Sequence, residues 1–278
     1  MKPTWLKIKL PHNDNYQLVK SRLNSEKINT VCIEAHCPNR IECWEKRAMT
    51  FMILGNVCTR NCKFCAVETG NPMGKTDEDE PERIARVIAS LGLSYIVITS
   101  VTRDDLADGG ASFFTRTVQV IRVNNPKTKI EVLVPDFSGF KQAIEKVVKA
   151  GCDVFSHNLE TVERLTPLVR DKRANYQCSL LVLKDASRIK PEVATKSGIM
   201  LGLGETKDEV KKTIQDLFDV GVSILTIGQY LQPAKDLFPV AEYVKPELFQ
   251  YYKEFACNMG FQKVIAGPLV RSSYNCQD

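Results

Sequence analysis

The stretch that decides the reading is Thr50-Phe-Met-Ile-Leu54, followed by Gly55-Asn-Val57 and then Cys58-Thr-Arg-Asn-Cys62-Lys-Phe-Cys65. Its first five residues are a short apolar run, the pattern of a strand buried on both faces. Gly55 ends that run, so the three cysteines fall on the loop that leaves the strand. In parallel α/β folds ligands gather at the C-terminal ends of strands, which puts this loop at a catalytic mouth.

Downstream the same alternation repeats. Strands are expected at 50–54, 95–99, 130–134, 152–155, 198–203 and 223–227. Between them lie helical stripes: Ile84, Val87, Ile88 and Leu91, then Phe140, Ala143, Ile144, Val147 and Val148, then Val210, Ile214, Leu217 and Phe218. Pro81 and the acids Asp77 to Glu80 suit the first turn of the first helix, where the macrodipole favours negative charge. Gly151 and Gly221 suit helix C-caps, and Thr206 with Glu209 reads as a capping box. Six βα units in series predict an α/β protein, either a partial TIM-type barrel or an open doubly wound sheet, between which periodicity does not choose.

Composition limits the function classes. With 44% hydrophobic and 26% charged residues, the chain reads as an ordinary soluble globular protein. No apolar run approaches the length of a membrane span, and the lysine-rich first ten residues lack the apolar core of a signal peptide, so a cytoplasmic protein is expected. A net charge of +5, with bases scattered among acids, argues against a nucleic-acid surface. Ten cysteines in such a chain are read for metal or redox chemistry rather than disulfides. Six of them lie between Cys32 and Cys65; Cys152, Cys178, Cys257 and Cys276 stand alone and are read as structural.

Cys58, Cys62 and Cys65 have C-x3-C-x2-C spacing. Three thiolates on one short loop can each take a different iron of a four-iron cluster, leaving the fourth open. S-adenosylmethionine (SAM) can chelate that iron through its amino and carboxylate groups, placing its sulfonium for one-electron cleavage. A zinc knuckle would want paired C-x2-C elements, and an electron carrier four cysteines per cluster. Cys32, Cys37 and Cys43 form a second triplet, C-x4-C-x5-C, also one ligand short. His36 inside it raises a three-cysteine, one-histidine zinc site as the alternative to a second iron-sulfur cluster, although its adjacency to Cys37 makes joint tetrahedral ligation awkward.

With both triplets stand Ile98-Thr-Ser-Val101, Arg103-Asp-Asp-Leu106, Asp108-Gly-Gly-Ala111, His157-Asn-Leu-Glu-Thr161, Gly202-Leu-Gly-Glu-Thr206 and Gly267-Pro-Leu-Val-Arg-Ser-Ser-Tyr274. Together these runs resemble the lipoyl synthase family of radical SAM enzymes, over nearly the whole chain. The resemblance implies a partial (β/α)6 TIM-type barrel at 49–267, an N-terminal extension, 1–48, carrying the upstream triplet, and a C-terminal segment, 268–278. It implies two 4Fe-4S clusters and SAM, with the upstream cluster consumed as sulfur donor for two carbons of an octanoyl chain on a carrier lysine. Ser273, with Ser272 as the alternative, then supplies the missing ligand to Cys32, Cys37 and Cys43. Phe64, Asn158, Glu160, Gly202, Gly204 and Glu205 are the expected SAM contacts, and Arg103, Asp104, Asp105 and Arg271 the expected substrate contacts.

The bland readings of these positions are a glycine-rich turn with a cap for Gly202 to Glu205, a loop held by its own ion pairs for Arg103 to Asp105, and a surface arginine for Arg271. Implied partners are octanoylated carrier domains (the acyltransferase subunit of 2-oxoacid dehydrogenases and the glycine cleavage H protein), a ferredoxin or flavodoxin reductant, and iron-sulfur assembly proteins. The alternatives are another two-cluster sulfur-transfer enzyme of methylthiotransferase type, and a non-catalytic iron-sulfur electron carrier. The chain departs from the family pattern at Arg47, Ser156, Leu237 and Asn275-Cys276.

Overall fold

A computed structural model describes residues 3–6 and 15–273. Three helices come first: α1 (Asn15–Ser25), α2 (Val31–Glu34) and α3 (Arg40–Glu45). Strand β1 (Thr50–Ile53) follows, then two short strands, β2 (Val57–Cys58) and β3 (Glu68–Thr69). The chain continues through α4 (Glu80–Leu91), β4 (Tyr95–Ser100), α5 (Ala111–Asn124), β5 (Lys129–Leu133), α6 (Lys141–Val148) and β6 (Val154–Ser156). It closes with α7 (Thr166–Val169), α8 (Tyr176–Ile189), β7 (Ala194–Leu201), α9 (Lys207–Asp219), β8 (Ile224–Gln229), α10 (Pro246–Met259) and β9 (Lys263–Gly267).

Among the described residues seven strands form one sheet in the order β1-β4-β5-β6-β7-β8-β9, every pair parallel. Each strand lies beside the next one in the sheet, with no reversal of order. A doubly wound sheet would reverse at a switch point, so this is the partial TIM-type barrel. All six expected strands are present. The seventh, β9, escaped notice because Lys263-Val-Ile-Ala-Gly267 is a short run directly after a helix.

Strand β7 begins at Ala194, before the expected 198, because Thr195, Lys196 and Ser197 are polar yet buried. Lys196 is tolerated there by its ion pair with Glu131 at 2.8 Å, both side chains almost fully enclosed. A buried charge without such a partner would shed its proton or unfold the site.

The helix stripes behave as read but for one residue. Ile84, Val87, Ile88 and Leu91 are all buried, each removing apolar surface worth roughly 1.5–3 kcal/mol. Thr206 and Glu209 exchange the two hydrogen bonds of a capping box. Two expectations fail. Phe140 is 59% exposed, since it precedes the first turn of α6 rather than joining its stripe. Gly151 lies past the end of α6, whose cap is Lys149. The N-terminal helices share the barrel's core: Val19, Leu23, Cys32 and Trp44 belong to the apolar cluster that includes β1, β4 and β5. Met52 also donates its amide to Asn29 O at 2.9 Å, tying this segment to β1.

Candidate active site

The loop carrying Cys58, Cys62 and Cys65 is held at both ends and from both sides. Val57 and Cys58 pair in parallel with Glu68 and Thr69, drawing its ends together. Arg60, 6% exposed, points inward and forks between two carboxylates, meeting Asp136 at 2.6 and 2.8 Å and Asp104 at 2.9 and 3.1 Å. Burial opposes ionisation of Asp136, but the Arg60 guanidinium outweighs it and holds the carboxyl below its ordinary range.

From the other side, Asp171 accepts the Asn61 amide at 2.9 Å and donates its own amide to Cys62 Sγ at 3.3 Å. Lys63 donates to Val169 O at 2.8 Å, and Phe238 donates to Lys63 O at 2.7 Å. Arg173, beside Asp171, keeps that carboxyl well below the usual carboxylate range. Four separate stretches of chain thus fix a loop that has little regular structure of its own.

This loop opens on a cavity of about 500 Å3. Cys58, Cys62, Cys65 and Phe64 line it, and so do Cys32, Cys37, Arg271 and Ser273. Cys43 stands just behind: burial, then the neighbouring Cys37 and Cys32, pushes its thiol up to about 12. Burial likewise raises Cys65 to about 12 and Cys32 to about 11. Thiols so placed are neutral until a cation offsets the burial of their charge, and bound iron is such a cation.

Among the described residues no three His, Cys, Asp or Glu side chains are gathered so as to share one ion. Each triplet offers three soft thiolates and lacks the fourth ligand of a closed zinc site, a donor set that fits a cluster taking one thiolate per iron. The walls also carry buried polar atoms without a partner: Ser100 Oγ, Asn158 Oδ1 and Arg170 Nε. Leaving such atoms unpaired is expensive, and a zwitterionic ligand with hydroxyl groups would satisfy them.

The comparisons with known proteins agree with this geometry. The family described as "Radical SAM superfamily" matches residues 52–217. Lipoyl synthase of Thermus thermophilus is 51% identical over 273 residues, 98% of this chain and 84% of that protein. Lipoyl synthase of Pyrobaculum calidifontis is 52% identical over 278 residues, 99% of this chain and 95% of its own length. The chain belongs to the lipoyl synthase family. Solved structures confirm the fold of this family member at low identity. Methylornithine synthase gives a TM-score of 0.58 at 12% identity, covering 82% of this chain and 75% of that one. Streptococcus suis SuiB bound to S-adenosylmethionine gives 0.61 at 10% identity, covering 93% and 57%. The enzyme is accordingly a radical SAM enzyme that uses SAM and iron-sulfur clusters.

The expected site residues of this lipoyl synthase fall into two groups. The six cysteines, Phe64, Asn158, Glu160, Arg271 and Ser273 come together at or directly behind the cavity. Glu160 holds a left-handed φ of 70° there, uncommon for a non-glycine residue. The others are not brought to it. Arg103 is fully buried and grips Asp105 at 2.8 Å and Leu54 O at 3.2 Å, while Asp104 is taken up by Arg60 and Arg173. Arg103 and Asp105 form the loop's own ion pair, because a buried guanidinium must be matched where it lies, and Asp104 pairs with arginines outside the loop.

Glu205 is occupied as well, accepting the amides of Gly202 and Leu203 at 2.6 and 2.9 Å. Gly202 has φ 96°, and a Cβ there would stand 2.3 Å from Glu242 O, so this glycine serves a turn. Glu205, Gly202 and Gly204 therefore support the mouth without lining the cavity. Of the departures from the family pattern, Arg47 donates to Leu91 O and Asn15 Oδ1 and so has a structural role. Ser156 is buried beside His157, and Asn275 and Cys276 lie outside the described residues.

Sequence reasoning overlooked Arg60, Ser100, His157, Arg170 and Asp171. His157 Nδ1 faces Val134 O at 2.8 Å; a carbonyl only accepts, so Nδ1 donates and Nε2 accepts from Ser179 Oγ at 2.9 Å. Ser179 in turn accepts from Arg170 Nη1 at 2.9 Å. Burial, helped by Arg170, pushes His157 down to about 4, so the ring is neutral and acts as an anchor. A histidine beside a strand end was the available signal, but nothing in the sequence links it to Ser179.

Proposed function

We propose that the two cysteine triplets divide the work of this lipoyl synthase: Cys58, Cys62 and Cys65 hold the SAM-cleaving cluster, and Cys32, Cys37, Cys43 and Ser273 hold the sulfur donor. The observation that carries this is the cavity of about 500 Å3 onto which Cys58, Cys62 and Cys65, Cys32 and Cys37, and Ser273 all open, with Cys43 behind its wall. When bound, the two groups supply one-electron cleavage of SAM and sulfur for two unactivated carbons of an octanoyl chain on a carrier lysine.

The chain's own residues do the rest. Arg60, Asp171 and the β2–β3 pair hold the cysteine loop still, so its thiolates need no rearrangement. Asn158, Glu160, Ser100 and Arg170 present polar groups to the SAM zwitterion and ribose, with Arg170 aimed by Ser179 and His157. Apolar walls such as Phe64 and Met200 keep water from the reacting carbons. A serine oxygen is a hard ligand for cluster iron, and its weaker hold suits an iron that leaves during turnover.

In this division 1–48 carries the donor triplet, 49–267 the barrel, and 268–278 the segment that closes the donor site. The substrates are octanoylated acyltransferase subunits and the glycine cleavage H protein, the reductant is a ferredoxin or flavodoxin, iron-sulfur assembly proteins load both clusters, and the work is cytoplasmic. Among the described residues no helix is long and apolar enough to cross a membrane.

Anaerobic reconstitution tests the assignment. About eight irons and eight sulfides per chain are expected from two four-iron clusters. Replacing Cys58, Cys62 and Cys65 with alanine should remove half of them and stop deoxyadenosine formation. Zinc without labile sulfide, or deoxyadenosine from that variant, would show the assignment to be wrong.

A further inference from the structure

Asn39 lies between Cys37 and Cys43, 1% exposed, and its Nδ2 donates to Leu269 O at 2.6 Å across 230 residues of sequence. Its Oδ1 has no partner. The segment it reaches leaves β9 and turns back at once, Val270 donating to Gly267 O at 3.1 Å. Val270 is buried, and its carbonyl lies 2.1 Å from where a Cβ on Gly228 would stand. Only glycine at 228 lets this segment rest on β8 at that distance. Arg271 Nη1 donates to the same Val270 carbonyl at 2.6 Å, and Arg271 and Ser273 then face the cavity.

We propose that Asn39 is a positioning residue that latches the C-terminal segment, so that Ser273 is delivered to the upstream triplet by protein contacts and not by the cluster itself. The amide does this because it sits in the same short stretch as Cys37 and Cys43 and donates to the tail. Any shift of the tail is thereby a shift relative to those ligands. Gly228 is the opposite jaw: it removes the side chain that would hold Val270 off the barrel. The proposal rests on the reading of Ser273 as ligand only for its effect on iron; the latch itself is a property of the backbone.

Asparagine and aspartate have the same shape, but aspartate cannot donate to Leu269 O. Hydrogen exchange by mass spectrometry on the cluster-loaded protein, with Mössbauer spectra of the same samples, separates the possibilities. In Asn39→Asp, exchange of amides 269–273 should rise about tenfold, the equivalent of about 1.4 kcal/mol. Strands β1 and β4 should keep wild-type protection, showing that the barrel is intact. Gly228→Ala should open the same amides from the strand side, and both variants should alter the iron environment of the upstream cluster. Ser273→Ala should alter the iron environment while leaving the tail protected. If Asn39→Asp leaves amides 269–273 at wild-type protection, or if Ser273→Ala opens the tail and Asn39→Asp does not, the cluster holds the tail and the latch is refuted. A tail opened by Asn39→Asp, with iron unchanged in Ser273→Ala, upholds the latch and removes Ser273 as ligand.

Discussion

The acids before the first barrel helix show how a single residue can outgrow its sequence reading. Asp77 to Glu80 read as favourable company for a helix N-terminus, and Asp77 does pair with Arg83 at 2.7 Å. Glu80 does more: it is 3% exposed and accepts the amide of Leu54, the residue that leaves β1 toward the cysteine loop. Burial pushes its carboxyl from 4.5 up to about 7, against the pull of that amide. The folded state therefore binds the Glu80 proton more tightly than the unfolded chain does. Its contribution to stability is fully present below pH 4.5 and is lost as pH rises through 7, a change on the order of 3 kcal/mol. Glu80→Gln keeps an acceptor for Leu54 without the buried charge. Urea unfolding between pH 5 and 8 should show the wild type losing stability relative to this variant as pH rises; parallel curves would mean that Glu80 stays ionised. No periodicity could have revealed this, because burial of a carboxylate depends on which loop folds over it.

Among the elements, those with strong local signals were legible and those fixed by distant partners were not. The stripe of α4, the capping box of α9 and the runs of β1, β4 and β5 each carry their pattern within a few residues. The start of β7 was hidden because Lys196 is acceptable in a strand only opposite Glu131, 65 residues away in sequence. The cysteine loop shows both sides of this. Its thiols were legible from spacing, whereas the fork of Arg60 to Asp104 and Asp136 and the clasp of Asp171 join residues 44, 76 and 110 positions apart. That fork makes a testable demand at the scale of the loop. Lysine at position 60 keeps the charge but cannot bridge two carboxylates with paired bonds, so Arg60→Lys leaves Asp136 buried and poorly matched. Destabilisation of about 2 kcal/mol or more is expected in denaturant unfolding, with weaker retention of the downstream cluster on gel filtration. An unchanged midpoint and full iron content would show that the fork does not hold the loop.

The whole molecule brings residues 32–37 and 271–273 of a 278-residue chain together. A barrel of seven parallel strands in sequential order leaves its first strand beside the N-terminal helices and its last beside the C-terminal segment. Both extensions then reach one cavity, so that Cys32 and Cys37 from one and Ser273 from the other share walls with Cys58, Cys62 and Cys65. Sequence could suggest two clusters and the family they resemble, but only the folded arrangement shows residues of both triplets bordering one cavity. The central claim is that radical generation belongs to the downstream triplet and sulfur to the upstream one. The most direct test is mass spectrometry of anaerobic reactions containing SAM, a reductant and an octanoyl-lysine peptide, run with wild type and with Cys32, Cys37 and Cys43 replaced by alanine. The account predicts deoxyadenosine from both proteins and thiolated peptide from wild type alone; thiolated peptide from the variant would contradict it.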